Sequence, residues 1–265
     1  MPATHEIIFL GTGASCGNPS FYCGCAACEE AVANPAEAKT NSSLAIHGAE
    51  MTLIDTAPEL RIQFAREGIH SVDRVLFTHE HFDHTGGLPQ LEFMVRLNRK
   101  TPLPIYALAE SFEPMKTHFD WMWDTVEPHV IEPFQTLEFD GMSYTALPAS
   151  HCPGAVGFLM QSGDWRAAYF PDTGPLSADV LERLEGIDVL IHDSTFIGRN
   201  WTEGTHSTVE DTICLGRELG VKAVYLAHCT LHYDTPTPAT ALREQLAQLD
   251  TGEMQVILPR DGDRF

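Results

Sequence analysis

The sequence predicts a sheet-rich α/β sandwich in which the functional site lies along one edge of the sheets. Strand-like apolar runs alternate with helical patterns throughout the 265 residues, and polar residues of the kinds that bind metals directly follow several of these runs. The sequence contains no internal linker or low-complexity segment. We therefore expect one domain, residues 1–265, whose strand ends carry the chemistry.

The first half of the chain contains both strand and helix patterns. Gly48 supplies the turn of one strand pair, and Pro35 ends the first helix because proline cannot continue it. Residues 110–135 are aromatic-rich and less regular, and they fit a substrate pocket, a core region or a lid. The predicted strands are 7–10, 42–47, 51–54, 72–77 and 102–107, and the predicted helices are 29–34, 60–67 and 88–97.

The second half continues the alternation and places a polar residue after most strands. The helix at 238–249 has Thr237 as its expected N-cap and Pro238 in the first turn, which tolerates proline. Another helix follows Thr208 and ends at Leu219. The remaining predicted strands are 141–147, 157–161, 165–170, 188–191, 221–226 and 254–258, and the remaining helix is 176–184.

The charge of the chain excludes several kinds of partner. It has 37 acidic and 16 basic residues, a formal net charge of −21, and no basic run that would neutralise the phosphates of a nucleic acid. Long nucleic acids are therefore poor partners, whereas a small anion held by metals and loop amides is compatible. No apolar run approaches the ~18 residues of a membrane span, and residues 1–6 lack the basic start of a signal peptide. We expect a cytoplasmic protein without a membrane partner, with a homodimer as the expected assembly.

The strongest chemical signal is the loop Thr78–His84, which follows a short apolar strand. It places three imidazoles and two carboxylates together, an arrangement that is costly unless a cation holds them. These side chains are ligands that suit zinc, manganese and iron. In a tight loop, His79 and His81 can converge on one metal while Asp83 and His84 turn towards a second. The alternative is a polar surface loop that is rich in histidine.

The His-x-His-x-Asp-His pattern that begins at His79 resembles the signature of the metallo-β-lactamase superfamily, whose members are mostly dinuclear metal hydrolases. The resemblance implies an αββα sandwich, with two mixed sheets flanked by helices. It also implies three further ligands. His151 completes the first metal site, Asp172 bridges the two metals, and His228 completes the second site. Two metals about 3.5–4 Å apart can hold a hydroxide between them and clamp a phosphoryl oxygen.

Two further residues gain roles from this resemblance. Asp55 would orient a metal-binding histidine, and the alternative is a helix N-cap. His206 matches a histidine that faces the substrate phosphate in phosphodiesterase members, where it can stabilise charge or protonate the leaving oxygen. The alternative for His206 is a local capping role near a helix start. We therefore class His206, Asp83 and Asp55 as catalytic residues.

The seven cysteines include a cluster, Cys23, Cys25 and Cys28, that is too tight for a disulfide framework and indicates metal binding. The others are scattered, and each is expected to be a small buried apolar residue. They are Cys16, Cys152, Cys214 and Cys229.

With the metal ligands, this cluster resembles the PhnP family of phosphoribosyl cyclic phosphodiesterases, as do the segments 10–13, 52–55 and 126–128. The resemblance implies that the loop at 16–28 carries a structural zinc, held by three cysteines and a histidine near the C-terminus. We assign that histidine as His232. Cys229 is the alternative, but it adjoins His228, so that neighbouring side chains would have to reach two different metals.

The resemblance predicts a dinuclear enzyme that hydrolyses a small, cyclic phosphodiester such as phosphoribosyl 1,2-cyclic phosphate through a metal-bridging hydroxide. The active-site metals are manganese, zinc or iron. One alternative is an endoribonuclease that processes tRNA 3′ ends, because His192–Phe196 and His206–Thr208 are similar to that group. Its RNA-binding arm is commonly inserted between the equivalents of His151 and Asp172, where this chain has a predicted strand pair. A second alternative is the PqqB-like branch of quinone-cofactor biosynthesis, which shares the cysteine cluster but departs from the paired His-x-His.

Overall fold

The computed structural model of the protein describes residues 5–202 and 204–265. It has two mixed β-sheets packed face to face with helices on both outer faces, which confirms the predicted α/β sandwich. The expectation that no signal peptide begins the chain falls largely on residues 1–4, which lie outside the described residues. No helix in the described part of the chain is both long enough and apolar enough to cross a bilayer.

The strands of the first sheet, in spatial order, are β1 (Glu6–Gly11), β2 (Ser43–His47), β3 (Met51–Ile54), β4 (Arg74–Leu76), β5 (Leu103–Ala107) and β6 (Val126–Val130). The pairs from β1 to β3 are antiparallel, and those from β3 to β6 are parallel. The C-terminal segment covers the outer edge of β1, because the Phe9 N–H donates to Asp263 O at 2.9 Å and the Phe265 N–H donates to Ile7 O at 3.1 Å.

The strands of the second sheet, in spatial order, are β7 (Thr136–Phe139), β8 (Met142–Pro148), β9 (Val156–Ser162), β10 (Trp165–Phe170), β11 (Val189–Asp193), β12 (Ala223–Ala227) and β13 (Gln255–Ile257). The pairs from β7 to β10 are antiparallel, and those from β10 to β13 are parallel. Each sheet therefore has a parallel part, and parallel strands bring their carboxyl ends to one edge.

The helices are α1 (Ala26–Ala33), α2 (Leu60–Glu67), α3 (Phe82–Thr85), α4 (Ala109–Phe119), α5 (Ala178–Leu184), α6 (Val209–Leu219) and α7 (Ala239–Ala247). Apolar side chains of α2 and α4 pack on the outer face of the first sheet, and those of α5, α6 and α7 pack on the second. Because strand side chains alternate between faces, Phe9 of β1 packs between the sheets with Tyr169 of β10, while its neighbour Ile8 faces the outer helices.

The segment 110–135 is more regular than predicted. It contains most of α4, a 3-10 helix at Asp120–Thr125 and strand β6, and the short strand β7 follows it, although neither strand was expected. Pro128 is tolerated within β6 because this strand is at the edge of its sheet, where one side forms no backbone hydrogen bonds with a neighbouring strand. The single helix predicted at 88–97 is instead a 3-10 helix, Leu88–Leu91, followed by a π-helix, Met94–Arg99.

Candidate metal centre

Five strands end beside one another at one edge of the sandwich, and each is followed by a polar side chain of the site. Asp55 follows β3 and the loop at 78–84 follows β4, whereas His151, Asp172 and His228 follow β8, β10 and β12. The apolar strands run almost up to these positions, so the polar side chains lie where the core meets the surface. The structure thereby brings the seven residues predicted to bind the active-site metals into two adjoining groups.

The first donor cluster consists of His79, His81, His151 and Cys152, whose donor atoms all lie within 4.8 Å of one another. The His151 Nε2 atom is 3.0 Å from His81 Nδ1, and the His79 ring lies edge-on to both other rings. On its other side, His151 Nδ1 lies 2.9 Å from the backbone oxygen of Thr205 and donates to it. This hydrogen bond fixes the ring and leaves Nε2 available to a metal.

The second donor cluster consists of Asp83, His84, Asp172 and His228, and its donor atoms also lie within 4.8 Å of one another. Asp172 is only 4% exposed; its Oδ2 is 2.5 Å from His84 Nε2, and its Oδ1 is 3.1 Å from His228 Nε2. The same Oδ2 atom lies 3.9 Å from His79 Nε2 of the first donor cluster. The Asp172 carboxylate therefore stands between the two clusters.

Several buried atoms of these clusters form no hydrogen bond of good geometry among the described residues, although Asp172 lies close to His84 and His228. They are His79 Nε2, His84 Nε2 and both carboxylate oxygens of Asp172. Buried polar atoms without partners are rare because each one costs stability. Burial alone would lower the pKa of His84, but the surrounding carboxylates raise it well above its usual value. The carboxylates therefore favour a positive charge in the site, and the donors are ones that zinc, manganese and iron accept. These residues fit a divalent-metal site.

One buried carboxylate, of Asp55, and one buried hydroxyl, of Thr195, orient the histidines of the second donor cluster. Asp55 Oδ2 accepts a hydrogen bond of 2.8 Å from His84 Nδ1. The same carboxylate accepts from the backbone N–H and from the hydroxyl of Thr78, both at 2.8 Å, so it cannot turn away. Thr195 Oγ1 lies 2.8 Å from His228 Nδ1. These contacts fix both imidazoles with Nε2 directed at the Asp172 carboxylate.

Asp193 belongs to the segment His192–Phe196, to which the sequence assigned no direct role in the site. It ends β11 and is fully buried, with Oδ2 accepting from His206 Nδ1 at 2.8 Å and from the Thr173 N–H at 2.9 Å. Its Oδ1 accepts from the Thr195 N–H at 2.8 Å. Its position could have indicated a role in the site, because Asp193 comes at the end of an apolar strand just as Asp55 does.

His206 lies against both donor clusters. Its ring is parallel to that of His228, with centroids 5.5 Å apart, and its edge-on contact with His151 has a centroid distance of 4.7 Å. The Nδ1 atom is 3.4 Å from Asp172 Oδ1. Burial opposes the charged imidazolium, but the hydrogen bond to Asp193 outweighs it and raises the pKa of His206.

Neither Asp55 nor His206 caps a helix, so the alternative roles considered for these two residues are excluded. Helix α2 begins at Leu60, beyond the reach of Asp55, whose carboxylate is engaged elsewhere. Helix α6 is capped by Thr208, which forms a reciprocal capping box with Asp211, so His206 has no part in the cap.

The predicted cysteine cluster forms at the start of α1. Cys23 and Cys28 meet there, whereas Cys25, the N-cap residue of α1, lies outside the group of donor atoms that they form. The donor atoms of Cys23, Cys28 and His232 lie within 4.8 Å of one another. Cys229 is instead buried in the core between the second sheet and its helices. Of the two candidates for the fourth zinc ligand, His232 is therefore the one beside the cysteines.

The prediction for the scattered cysteines is wrong for three of the four. Only Cys229 is a fully buried apolar residue, whereas Cys214 is exposed. Cys16 is half-buried, with its sulfur 3.1 Å from His232 Nε2. Cys152 is half-buried and belongs to the first donor cluster. These thiols face polar groups, which sequence spacing alone does not reveal.

We expect His232→Ala to lower the zinc content of the purified protein by about one ion per chain and to lower the melting temperature, because binding to a structural zinc site is coupled to folding. Cys229→Ser is the matched control, since this residue is adjacent in sequence but packed in the core. Metal analysis by inductively coupled plasma mass spectrometry measures the difference. Loss of the zinc from Cys229→Ser alone would show that the assignment to His232 is wrong.

Comparison with known proteins places the chain in a family. Residues 51–229 match the model of the beta-lactamase superfamily domain. The chain is 30% identical over 225 residues to coenzyme PQQ synthesis protein B of Methylorubrum populi, a match that covers 72% of this chain and 73% of that protein. It is 26% identical over 232 residues to an octanoyltransferase of Porphyromonas gingivalis; the match covers 85% of this chain but 46% of that protein, so the chain spans less than half its length.

Among solved structures, a diphosphatase from the PhnP family is similar with a TM-score of 0.82 and 27% sequence identity, covering 99% of this chain and 97% of that one. The fold, the family model and these relatives agree with the resemblance that the metal-binding loop and the cysteine cluster indicated. The chain belongs to the beta-lactamase superfamily and is a metal-dependent hydrolase with the metallo-β-lactamase fold.

Proposed function

We propose that the protein hydrolyses a small phosphodiester at a centre of two divalent metal ions. The observation that carries this proposal is the position of Asp172, whose two buried carboxylate oxygens face histidines of both donor clusters. The first donor cluster would hold one ion and the second donor cluster the other, with Asp172 between them. When bound, such a pair supplies Lewis acidity towards a phosphoryl oxygen and activates water near neutral pH.

Residues of this chain would hold the metal ligands in fixed positions for that reaction. Asp55 and Thr195 fix the imidazoles of His84 and His228, so that little reorganisation is needed during the reaction. Asp172 joins the two donor clusters, because its Oδ2 lies 2.5 Å from His84 Nε2 of the second donor cluster and 3.9 Å from His79 Nε2 of the first. Fixed donors of this kind act more strongly in a site that excludes water than they would in solvent.

His206 is the candidate proton donor to the leaving oxygen. Its Nδ1 is engaged by Asp193, so the proton for the leaving group would be carried at Nε2. The Asp193 hydrogen bond favours the protonated ring, which is the form that a general acid requires. The stacking of His206 on His228 keeps it beside the metal ligands while its side chain stays 16% exposed, within reach of a substrate.

Three observations favour a small substrate over a folded RNA. The net charge of −21 opposes binding of a long polyanion. The interval from His151 to Asp172 is filled by the β9–β10 hairpin, which leaves no room there for an RNA-binding arm. A cavity of about 840 Å³ is lined by His206, Glu210 and Glu218, among others, but by no residue of the two donor clusters. Because carboxylates line it, this cavity suits the neutral part of a leaving group rather than the phosphate.

A second candidate is hydrolysis of a diphosphate. The similar structure described as a diphosphatase from the PhnP family favours it. The bond broken is again a phosphorus–oxygen bond, and two metal ions can stabilise both the attacking and the leaving oxygen. The two candidates differ in the leaving group, which is an alkoxide in a diester and a phosphate in a diphosphate. Only the alkoxide depends strongly on a proton from His206.

The metal-loaded protein should hydrolyse bis(p-nitrophenyl) phosphate and 2′,3′-cyclic nucleotides with a kcat/KM at least about tenfold above that for phosphomonoesters, equivalent to about 1.4 kcal/mol in the transition state. Monoesters carry more negative charge into an acidic protein, and chelation should abolish every activity. Steady-state kinetics on this panel, with a nucleoside diphosphate included, decides between the two candidates. Faster turnover of monoesters than of diesters would contradict the proposal. No hydrolysis of any of these substrates would also contradict it and would favour the PqqB-like alternative.

His206→Ala should lower kcat for cyclic nucleotides by roughly 10²–10⁴-fold, the usual range for loss of a general acid, with the metal content unchanged. The loss should be smaller for bis(p-nitrophenyl) phosphate, because p-nitrophenolate leaves without protonation. His118→Ala, a change at an exposed histidine of α4, is the matched control and should have wild-type rates. Equal losses for both substrates, or loss of metal together with activity, would exclude this role for His206.

A further inference from the structure

The first donor cluster contains a fourth potential metal ligand, Cys152, in addition to its three histidines. The Cys152 sulfur lies within 4.8 Å of the donor nitrogens of His79, His81 and His151. Cys152 directly follows His151 in the loop after β8, so one backbone segment directs both side chains into the same cluster. The thiol also contacts Glu80 Oε2, with a sulfur–oxygen distance of 3.5 Å.

The arrangement of the cluster points to a ligand between these side chains. His79 is 1% exposed, and its Nε2 has no hydrogen-bond partner among the described residues. Zinc binds imidazole nitrogen at about 2.0–2.1 Å and thiolate sulfur at about 2.3 Å, so neighbouring donors around one zinc ion are roughly 3–4 Å apart. The donor atoms of this cluster require only small side-chain adjustments to reach that spacing. Its three nitrogens and one sulfur are all donors that zinc accepts.

We propose that Cys152 is a fourth protein ligand of the metal in the first donor cluster and makes that position selective for zinc over manganese. Thiolate is a soft ligand that favours zinc, whereas manganese favours carboxylate, carbonyl and water oxygens. Without Cys152 the three imidazoles would serve several divalent metals. With it, the first position acquires a ligand that the second donor cluster lacks.

Glu80 has a defined part in this coordination. The sulfur binds metal as a thiolate, so the S–H proton must leave when the metal–sulfur bond forms. The Glu80 carboxylate is the nearest acceptor, and solvent removes the proton from there. The inference rests on the metal centre proposed above but not on the choice of a phosphodiester as substrate.

Cobalt(II) absorption spectroscopy tests the proposal directly, because a thiolate bound to cobalt gives a charge-transfer band in the near ultraviolet that an imidazole does not. The full-length protein is loaded with cobalt as wild type, Cys152→Ser and Cys214→Ser, the last being an exposed cysteine that serves as control. The cysteine-rich loop contributes the same band to all three proteins and cancels in the difference spectra. We expect the band to fall in Cys152→Ser and to be unchanged in Cys214→Ser.

Competition between zinc and manganese gives a second result. The preference of the wild type for zinc at the first position should fall by roughly tenfold or more in Cys152→Ser, the scale expected when a contact that supports a metal site is removed. Should the variant fold poorly, mass spectrometry of iodoacetamide-treated wild type replaces it. Zinc should protect Cys152 from alkylation and leave Cys214 reactive.

The outcomes separate this inference from the proposal that precedes it. Cobalt bound by the histidines, with identical charge-transfer bands in wild type and Cys152→Ser, would overturn the role of Cys152 and leave the metal centre intact. Equal alkylation of Cys152 with and without zinc would overturn it as well. No cobalt absorption beyond that of the cysteine-rich loop would overturn both this inference and the proposed metal centre.

Discussion

The carboxylate of Asp172 is the group on which the arrangement of this site depends. It is almost fully buried, its only close polar neighbours among the described residues are side chains of the site, and imidazoles face it from both donor clusters. Placing a carboxylate in such a position costs several kcal/mol unless positive charge compensates it. Without a metal, a protonated His84 supplies part of that charge. A bound divalent ion would take the place of the proton on His84 Nε2 and supply more positive charge.

The scaffold holds the ligands in place through backbone geometry and hydrogen bonds. Asp55 and His228 both have positive φ, 66° and 57°, a conformation that costs a residue other than glycine about 1–3 kcal/mol. Each occurs where the chain leaves a strand, and each is held by a buried hydrogen bond, to Thr78 and to Thr195 respectively. The packed sheets therefore stabilise two strained turns, and the result is a set of ligands that is already oriented.

The sequence predicted those parts of the structure that depend on short stretches of chain, such as an apolar strand and the polar residue that follows it. The ligands that follow apolar strands, from His79 to His228, could be placed because strand patterns and residue chemistry agree there. Strand β6 was missed because an edge strand needs only one apolar face and tolerates Pro128. The contacts of Cys152 and Asp193 depend on tertiary structure, since a lone cysteine or aspartate after a strand has the same sequence pattern in many other environments. The substrate leaves no comparable pattern, because the loops that would contact it are irregular.

The central claim is that two metal ions flank Asp172, and anomalous X-ray diffraction from crystals of the metal-loaded protein tests it most directly. The account predicts two anomalous peaks about 3.5–4 Å apart, one beside His79, His81 and His151 and the other beside His84 and His228. A single peak bound by only one of the two donor clusters, or none within bonding distance of Asp172, would contradict it.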